Sequence, residues 1–174
     1  MIMTTRPGPG TIRAALPQDA AAIAAIYAPA VLTGTATFEL APPDAAEMAS
    51  RMGRVAAQNC PWLVAEYGGD IAGYTYASPF RDRPAYARTC ETSVYVAPGQ
   101  HRRGIGRRLI AALTDAAGAA GFAQMIAVIG DNGNQPSIGL HSAAGFTEAG
   151  RLRNVGWKFD RWLDVVYMQK SLLG

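Results

Sequence analysis

The segment Val94-Tyr95-Val96-Ala97-Pro98-Gly99-Gln100-His101-Arg102-Arg103-Gly104-Ile105-Gly106 carries the clearest chemical pattern in the chain. A β-prone run gives way to a Pro-Gly turn, and a helix-prone stretch begins among glycines. The first turn of a helix leaves several N–H groups without intrahelical partners, aimed beyond its end. Glycines there let an anion approach the backbone, and neighbouring arginines add charge, so the segment suits a pyrophosphate. It lacks the Lys-Ser/Thr of a triphosphate loop and the third glycine of a dinucleotide fingerprint. An ordinary strand-loop-helix connection with a solvated basic turn has the same local pattern.

The arginines gather in two stretches, Arg81, Arg83 and Arg88, then Arg102, Arg103, Arg107 and Arg108, as suits an anionic small ligand. With 16 basic against 13 acidic residues the excess is local, and no Lys/Arg run is long enough to follow a nucleic acid backbone. Cys60 and Cys90 show no metal-ligand spacing and are expected as reduced, buried thiols. The start, MIMTTRPGPG, has no apolar signal core, and no apolar run approaches a membrane span. These features predict a cytoplasmic protein with residues 1–10 as a flexible arm and 11–174 as one α/β domain.

The elements that must position these groups follow from periodicity. Strands are expected at 11–15, 62–67, 71–78, 88–97, 124–129, 147–155 and 162–172. Helices are expected from Pro17 to about Leu32, from Asp44 to about Gln58, over 104–120 and over 135–144. Gly68-Gly69-Asp70 reads as a hairpin turn, and the aperiodic run from Thr33 to Pro43 as a loop. The order implies a mixed sheet with helices on its faces.

His101-Arg102-Arg103-Gly104-Ile105-Gly106 resembles the cofactor loop of the GCN5-related N-acetyltransferase (GNAT) superfamily, Gln/Arg-x-x-Gly-x-Gly/Ala, with His101 departing from the usual Gln or Arg. The run from Asn134 to Phe146 is similar to the superfamily's Asn-helix-Gly-Phe segment, in which position 141 is most often Tyr. Thr37-Phe38-Glu39, Arg83-Pro84-Ala85-Tyr86, Glu91-Thr92-Ser93-Val94-Tyr95-Val96, Leu140-His141 and 155–164 resemble the phosphinothricin / methionine sulfoximine acetyltransferase family. The likeness runs from about Thr11 to Leu172. One departure is Ala87, where that family commonly carries Arg; the arginine here is Arg88, and a one-residue shift on a strand reverses the face.

The resemblance implies the GNAT fold, a mostly antiparallel mixed sheet whose strands splay at the acetyl-CoA cleft. It also implies direct acetyl transfer from acetyl-CoA to the amine of a small amino-acid-like acceptor, no metal, and a homodimer. An ammonium must lose its proton before it attacks, and Glu91 is the expected base, directly or through water. As a plain strand residue it would be a solvated carboxylate or a partner of Arg88. Backbone N–H groups of Val94, Tyr95 and Val96 would polarise the thioester and pair with the pantetheine arm. His141 is expected to give a proton to the departing thiolate; otherwise it is a helix-surface histidine.

Asn134 would contact the pantetheine, cap the following helix, or both. His101, Arg102, Arg103, Gly104, Ile105 and Gly106 would hold the pyrophosphate. Arg81 and Arg83 are the expected carboxylate ligands, with Tyr86 as a wall. Phe38 would close over the acceptor or serve as a packing anchor. Lys158 is expected at the acceptor, from its own or a partner subunit, and Trp162 in the core or at a dimer interface. Two other readings fit less well: a catalytically silent acetyl-CoA sensor, and an enzyme for peptide or protein N-termini.

Overall fold

The computed structural model describes residues 10–131 and 133–173, so most of the expected N-terminal arm lies outside the described residues. The strands are β1 (Thr11–Ala14), β2 (Trp62–Tyr67), β3 (Asp70–Pro79), β4 (Thr89–Val96), β5 (Gln124–Gly130), β6 (Thr147–Lys158) and β7 (Arg161–Ser171). They form one sheet in the order β1-β2-β3-β4-β5-β7-β6. Every neighbouring pair is antiparallel except β4 and β5.

That parallel pair opens the sheet. β4 pairs with β3 up to Val96, but with β5 only from Thr89 to Thr92. β5 instead continues alongside β7 to Gly130. Beyond Thr92 the two strands part, and the outward backbone groups of Ser93 to Val96 face a gap instead of a ladder. Such groups demand a partner.

Helices α1 (Ala20–Leu32) and α2 (Ala45–Ala57) cover one face; α3 (Ile105–Ala119) and α4 (Gln135–Ala143) cover the other. α2 starts where Asp44 accepts a hydrogen bond from the Glu47 N–H at 2.8 Å, an N-cap. On the α1/α2 face, Ile23, Tyr27 and Val31 pack with Met48, Met52, Trp62 and Tyr74. On the other, Ile110 and Leu113 pack with Cys90, Met125, Ile129 and Phe146. Alternation along β4 therefore turns Cys90, Thr92 and Val94 toward α3, and Glu91, Ser93 and Tyr95 toward α1.

Four details depart from the periodicity reading. Pro17–Asp19 is a 3₁₀ turn, and the α-helix proper begins at Ala20. The β6–β7 hairpin is longer than expected, closed by Phe159 and Asp160 alone, both with positive φ (53° and 54°). Such a turn normally announces itself through Asn or Gly, and neither is present. Ala87 closes a 3₁₀ turn (Pro84–Tyr86), and Arg88 precedes the first strand residue, Thr89. The expected reversal of face at Ala87 and Arg88 therefore does not arise. Finally, Trp162 is 58% exposed, which removes it from the core. Cys60 and Cys90 are free and buried.

Candidate active site

The gap beside β4 widens into a cavity of about 580 Å³, whose walls include Val94, Tyr95, Val96, His101, Arg102, Gly104, Ile105, Gly106 and Asn134. Two left-handed residues, Arg102 (φ 59°) and Gly104 (φ 76°), wind the chain into α3. Alternation of left- and right-handed residues turns successive N–H groups to one side and makes an anion-binding concavity. Gly106 is required for contact: a Cβ there would lie 3.1 Å from Leu140 Cδ2 and 3.6 Å from Val96 Cγ2. Arg103 turns aside, donating to Gln100 with its guanidinium 5.8 Å above the Tyr67 ring. Arg107 lines the cavity in its stead. Arg108 is held at the back, donating to the Tyr67 hydroxyl at 2.5 Å.

Asn134 caps the helix, as one of its two readings has it. Its side chain accepts from the Ser137 N–H at 3.3 Å, capping α4, and the residue also lines the cavity.

A smaller pocket of about 50 Å³ lies in the throat between β4 and β5, bounded by Thr92, Ser93, Val94, Asn134 and His141. His141 is 3% exposed, and its ring packs edge-on against Phe146 at 5.1 Å. Its Nδ1 lies 2.8 Å from the Ser137 carbonyl. A carbonyl only accepts, so the proton sits on Nδ1 and the buried Nε2 is left as an unpartnered acceptor. Burial pushes the His141 pKa down. The resting imidazole therefore presents a lone pair, whereas the sequence reading expected a proton donor; Nε2 must first gain a proton before it can give one.

Glu91 stands on the opposite face of β4, half-buried, paired across the sheet with Ser78 and Ile126. Burial raises its pKa above the ordinary carboxylate value, and the charge of Arg81 partly counters this. Arg81, not Arg88, is thus its electrostatic neighbour. The Arg81 guanidinium lies 4.1 Å over the Phe80 ring. Arg83 and Tyr86 are exposed on the following turn, with Tyr86 edge-on to Phe80 at 5.8 Å.

Beside Glu91 lies a third space of about 310 Å³, walled by Tyr27, Arg51, Trp62, Tyr74, Tyr76 and Ser78. Its floor is a stacked set of rings, with Trp62 and Tyr76 centroids 4.2 Å apart. None of these residues was singled out from the sequence. Ser78 and Tyr76 share the face of Glu91 and Ser93, because β3 and β4 pair antiparallel with Ser78 opposite Glu91 and Tyr76 opposite Ser93.

The loop between α1 and α2 forms the remaining wall. Ala36 lines both the large cavity and the throat. The Phe38 ring lies over two glycines: a Cβ at Gly156 would fall 2.4 Å from Phe38 Cε2, and one at Gly130 3.0 Å from Cε1. Phe38 is thus a packing anchor, although 40% of it stays exposed. Lys158 corrects an expectation: it is buried, and its ammonium donates to the Thr37 carbonyl at 2.9 Å and lies 3.5 Å from that of Ala30. Its charge is engaged by its own chain's loop.

The arrangement joins an anion cradle, a strand with free backbone groups and a carboxylate of raised pKa, which is the equipment for acyl transfer from a long, phosphate-bearing thioester. The sequence matches the model for the acetyltransferase (GNAT) domain over residues 12–167, and the chain belongs to that family. Within it, the chain is 48% identical over 162 residues to the phosphinothricin N-acetyltransferase of Alcaligenes faecalis, covering 93% of this chain and 82% of that one. It is 39% identical to the L-methionine sulfoximine/L-methionine sulfone acetyltransferase of Pseudomonas aeruginosa, covering 93% and 94%. Among solved structures, a GNAT phosphinothricin acetyltransferase from Sinorhizobium meliloti in complex with acetyl-CoA superposes with a TM-score of 0.89 at 41% identity, covering 94% and 88%. A Salmonella typhimurium protein with its cofactor acetyl-CoA gives 0.92 at 36%, covering 95% of each chain.

Proposed function

We propose that the chain transfers acetyl from acetyl-CoA to the amine of a small amino-acid-like acceptor of the phosphinothricin, methionine sulfoximine or methionine sulfone type. The observation that carries this reading is one strand, β4, with the anion cradle at its end and a carboxylate of raised pKa on its flank.

N–H groups from His101 to Gly106 hold the pyrophosphate, with Arg102 and Arg107 adding charge. The unpaired edge of Val94, Tyr95 and Val96 receives the pantetheine amides, and Asn134 meets them from α4. A β4 N–H then polarises the thioester carbonyl and stabilises the oxyanion as the amine adds. Glu91 takes the ammonium proton, directly or through water. The amine nitrogen bonds to the carbonyl carbon, the C–S bond breaks, and the sulfur leaves as a thiolate. His141 accepts the proton released from nitrogen at Nε2 and returns it to sulfur. Arg83 and Arg81 receive the acceptor's carboxylate, Tyr86 walls the entrance, and Phe38 roofs it. No metal enters any step.

Residues 11–174 act as one domain. Trp157, Phe159 and Trp162 are each half exposed or more on the terminal hairpin, which supports a homodimer covering that patch. Among the described residues no helix is long and apolar enough to cross a membrane, which fits the cytoplasmic placement we propose.

The test is thiol release from acetyl-CoA with methionine sulfoximine, methionine sulfone, phosphinothricin, ordinary amino acids and a short peptide. Glu91→Gln should lower kcat by about 10²–10³-fold, the range for a lost general base, with acetyl-CoA binding intact. In the parent, kcat/KM should fall as pH drops through a midpoint above the ordinary Glu value, because protonated Glu91 cannot accept. That limb should vanish in the variant. Turnover on the peptide alone, or acetyl-CoA binding with no turnover at all, would sink the proposed acceptor class.

A further inference from the structure

We infer that Lys158 is a positioning residue: it latches the α1–α2 loop against the cofactor cavity and the throat of the cleft and does not bind the acceptor itself. The inference rests on the acetyltransferase reading for what the loop covers, while the latch rests on contacts within the chain.

Lys158 ends β6 and is 3% exposed. Burying an ammonium costs several kcal/mol unless fixed partners replace its water. Among the described residues, its hydrogen-bond partners are the carbonyls of Thr37 (2.9 Å) and Ala30 (3.5 Å), with Glu39 acting at longer range. Ala30 lies in the last turn of α1, where carbonyls lack intrahelical donors and a cation is favoured. Thr37 lies in the irregular stretch beyond it, where no ladder claims the carbonyl. One buried charge thus ties the end of a helix to the loop that leaves it.

Thr37 is the lever. It sits between Ala36, which walls the cavity and the throat, and Phe38, whose ring rests on Gly156 two residues before Lys158. Side-chain bonds hold the same loop: Thr35 donates to Asp131 at 2.9 Å, and the Tyr27 hydroxyl lies 2.6 Å from that of Thr37. Lys158 differs in gripping the backbone itself. It therefore sets where Ala36 and Phe38 stand whatever their side chains are, and couples the terminal hairpin to the shape of the cavity and the throat.

Lys158→Met keeps the apolar stem and removes the donor. Hydrogen exchange by mass spectrometry should quicken over residues 33–41 and stay unchanged in α3 and β5. Because Ala30 and Ala36 wall the cofactor cavity and Ala36 also the throat, the KM values for acetyl-CoA and for the best acceptor should both rise, by up to about tenfold, the order expected for one lost charge-assisted hydrogen bond. Tm should fall modestly, since the Thr37 and Ala30 carbonyls lose their buried donor. Unchanged exchange in the loop, or exchange that quickens throughout the chain, would overturn the latch. If the parent turns over no acceptor, the function proposed above fails and the exchange result alone decides the role of Lys158. Should the Met variant not fold, Lys158→Gln, which keeps one N–H pair, is measured in the same way and read by the same outcomes.

Discussion

The two ends of the cleft are built on different principles. On the function proposed above, the working groups at the cofactor end are main-chain N–H donors, presented by Arg102 and Gly104 in left-handed conformations and by the unpaired edge of β4 beyond Thr92. Those proposed for the acceptor end are side chains drawn from distant segments: Phe38, Tyr76, Arg81 and Glu91. A backbone site depends on local φ/ψ and tolerates change in the residues around it. A side-chain site depends on every element that carries one of its members. The first therefore suits a cosubstrate of fixed structure, and the second suits an acceptor that can vary.

The comparison can be broken from either end. The largest effect is expected from Gly104→Ala, which puts a side chain on a left-handed residue at a cost of about 1–2 kcal/mol. Steady-state kinetics should show the acetyl-CoA KM rising about tenfold and the acceptor KM nearly unchanged. Equal changes in both would mean that the two ends are not separable. Gly156→Ala addresses the other end, because the new Cβ collides with the Phe38 ring. That ring is partly exposed and can swing away, so a rise of about three- to fivefold in acceptor KM is expected, roughly 1 kcal/mol, with acetyl-CoA unaffected. A shift in the rank order of acceptors would sharpen the reading. The smallest effect belongs to Arg83→Ala: an exposed guanidinium is worth about 1 kcal/mol or less, a few-fold in acceptor KM. A loss of a hundredfold there would show that the turn folds inward onto the acceptor and that the acceptor end is less open than it is here.

The same division explains what could be read without coordinates. Seven strands and four helices follow from periodicity, and Gly68-Gly69 marks its turn because glycine adopts positive φ at little cost. The turn at Phe159 and Asp160 carries no such mark. It exists because Trp157 pairs with Trp162 and Lys158 with Arg161, so the ladder between β6 and β7 holds Phe159, beside Asp160, in a left-handed turn. Arg107 is legible as part of the basic cluster but not as part of the cavity wall, because any helix surface carries arginines. Lys158 stands out only within the segment 155–164 that resembles the family, and its contact with the Thr37 carbonyl is not legible there, since a lysine looks the same in a sequence whether its ammonium meets a ligand or a buried carbonyl.

By itself the sequence determined the order of elements, the glycine-rich basic turn that leads into α3, and Glu91 and His141 as titratable groups on motif segments. Each depends on residues near one another in the chain, where spacing translates directly into geometry. Tertiary structure alone decided that β4 parts from β5 after Thr92, that Tyr76 and Ser78 share a face with Glu91, that His141 offers a lone pair, and that Lys158 holds the loop. These depend on which face a strand turns and on what burial leaves unpaired. Both are set by packing between segments that the chain keeps far apart.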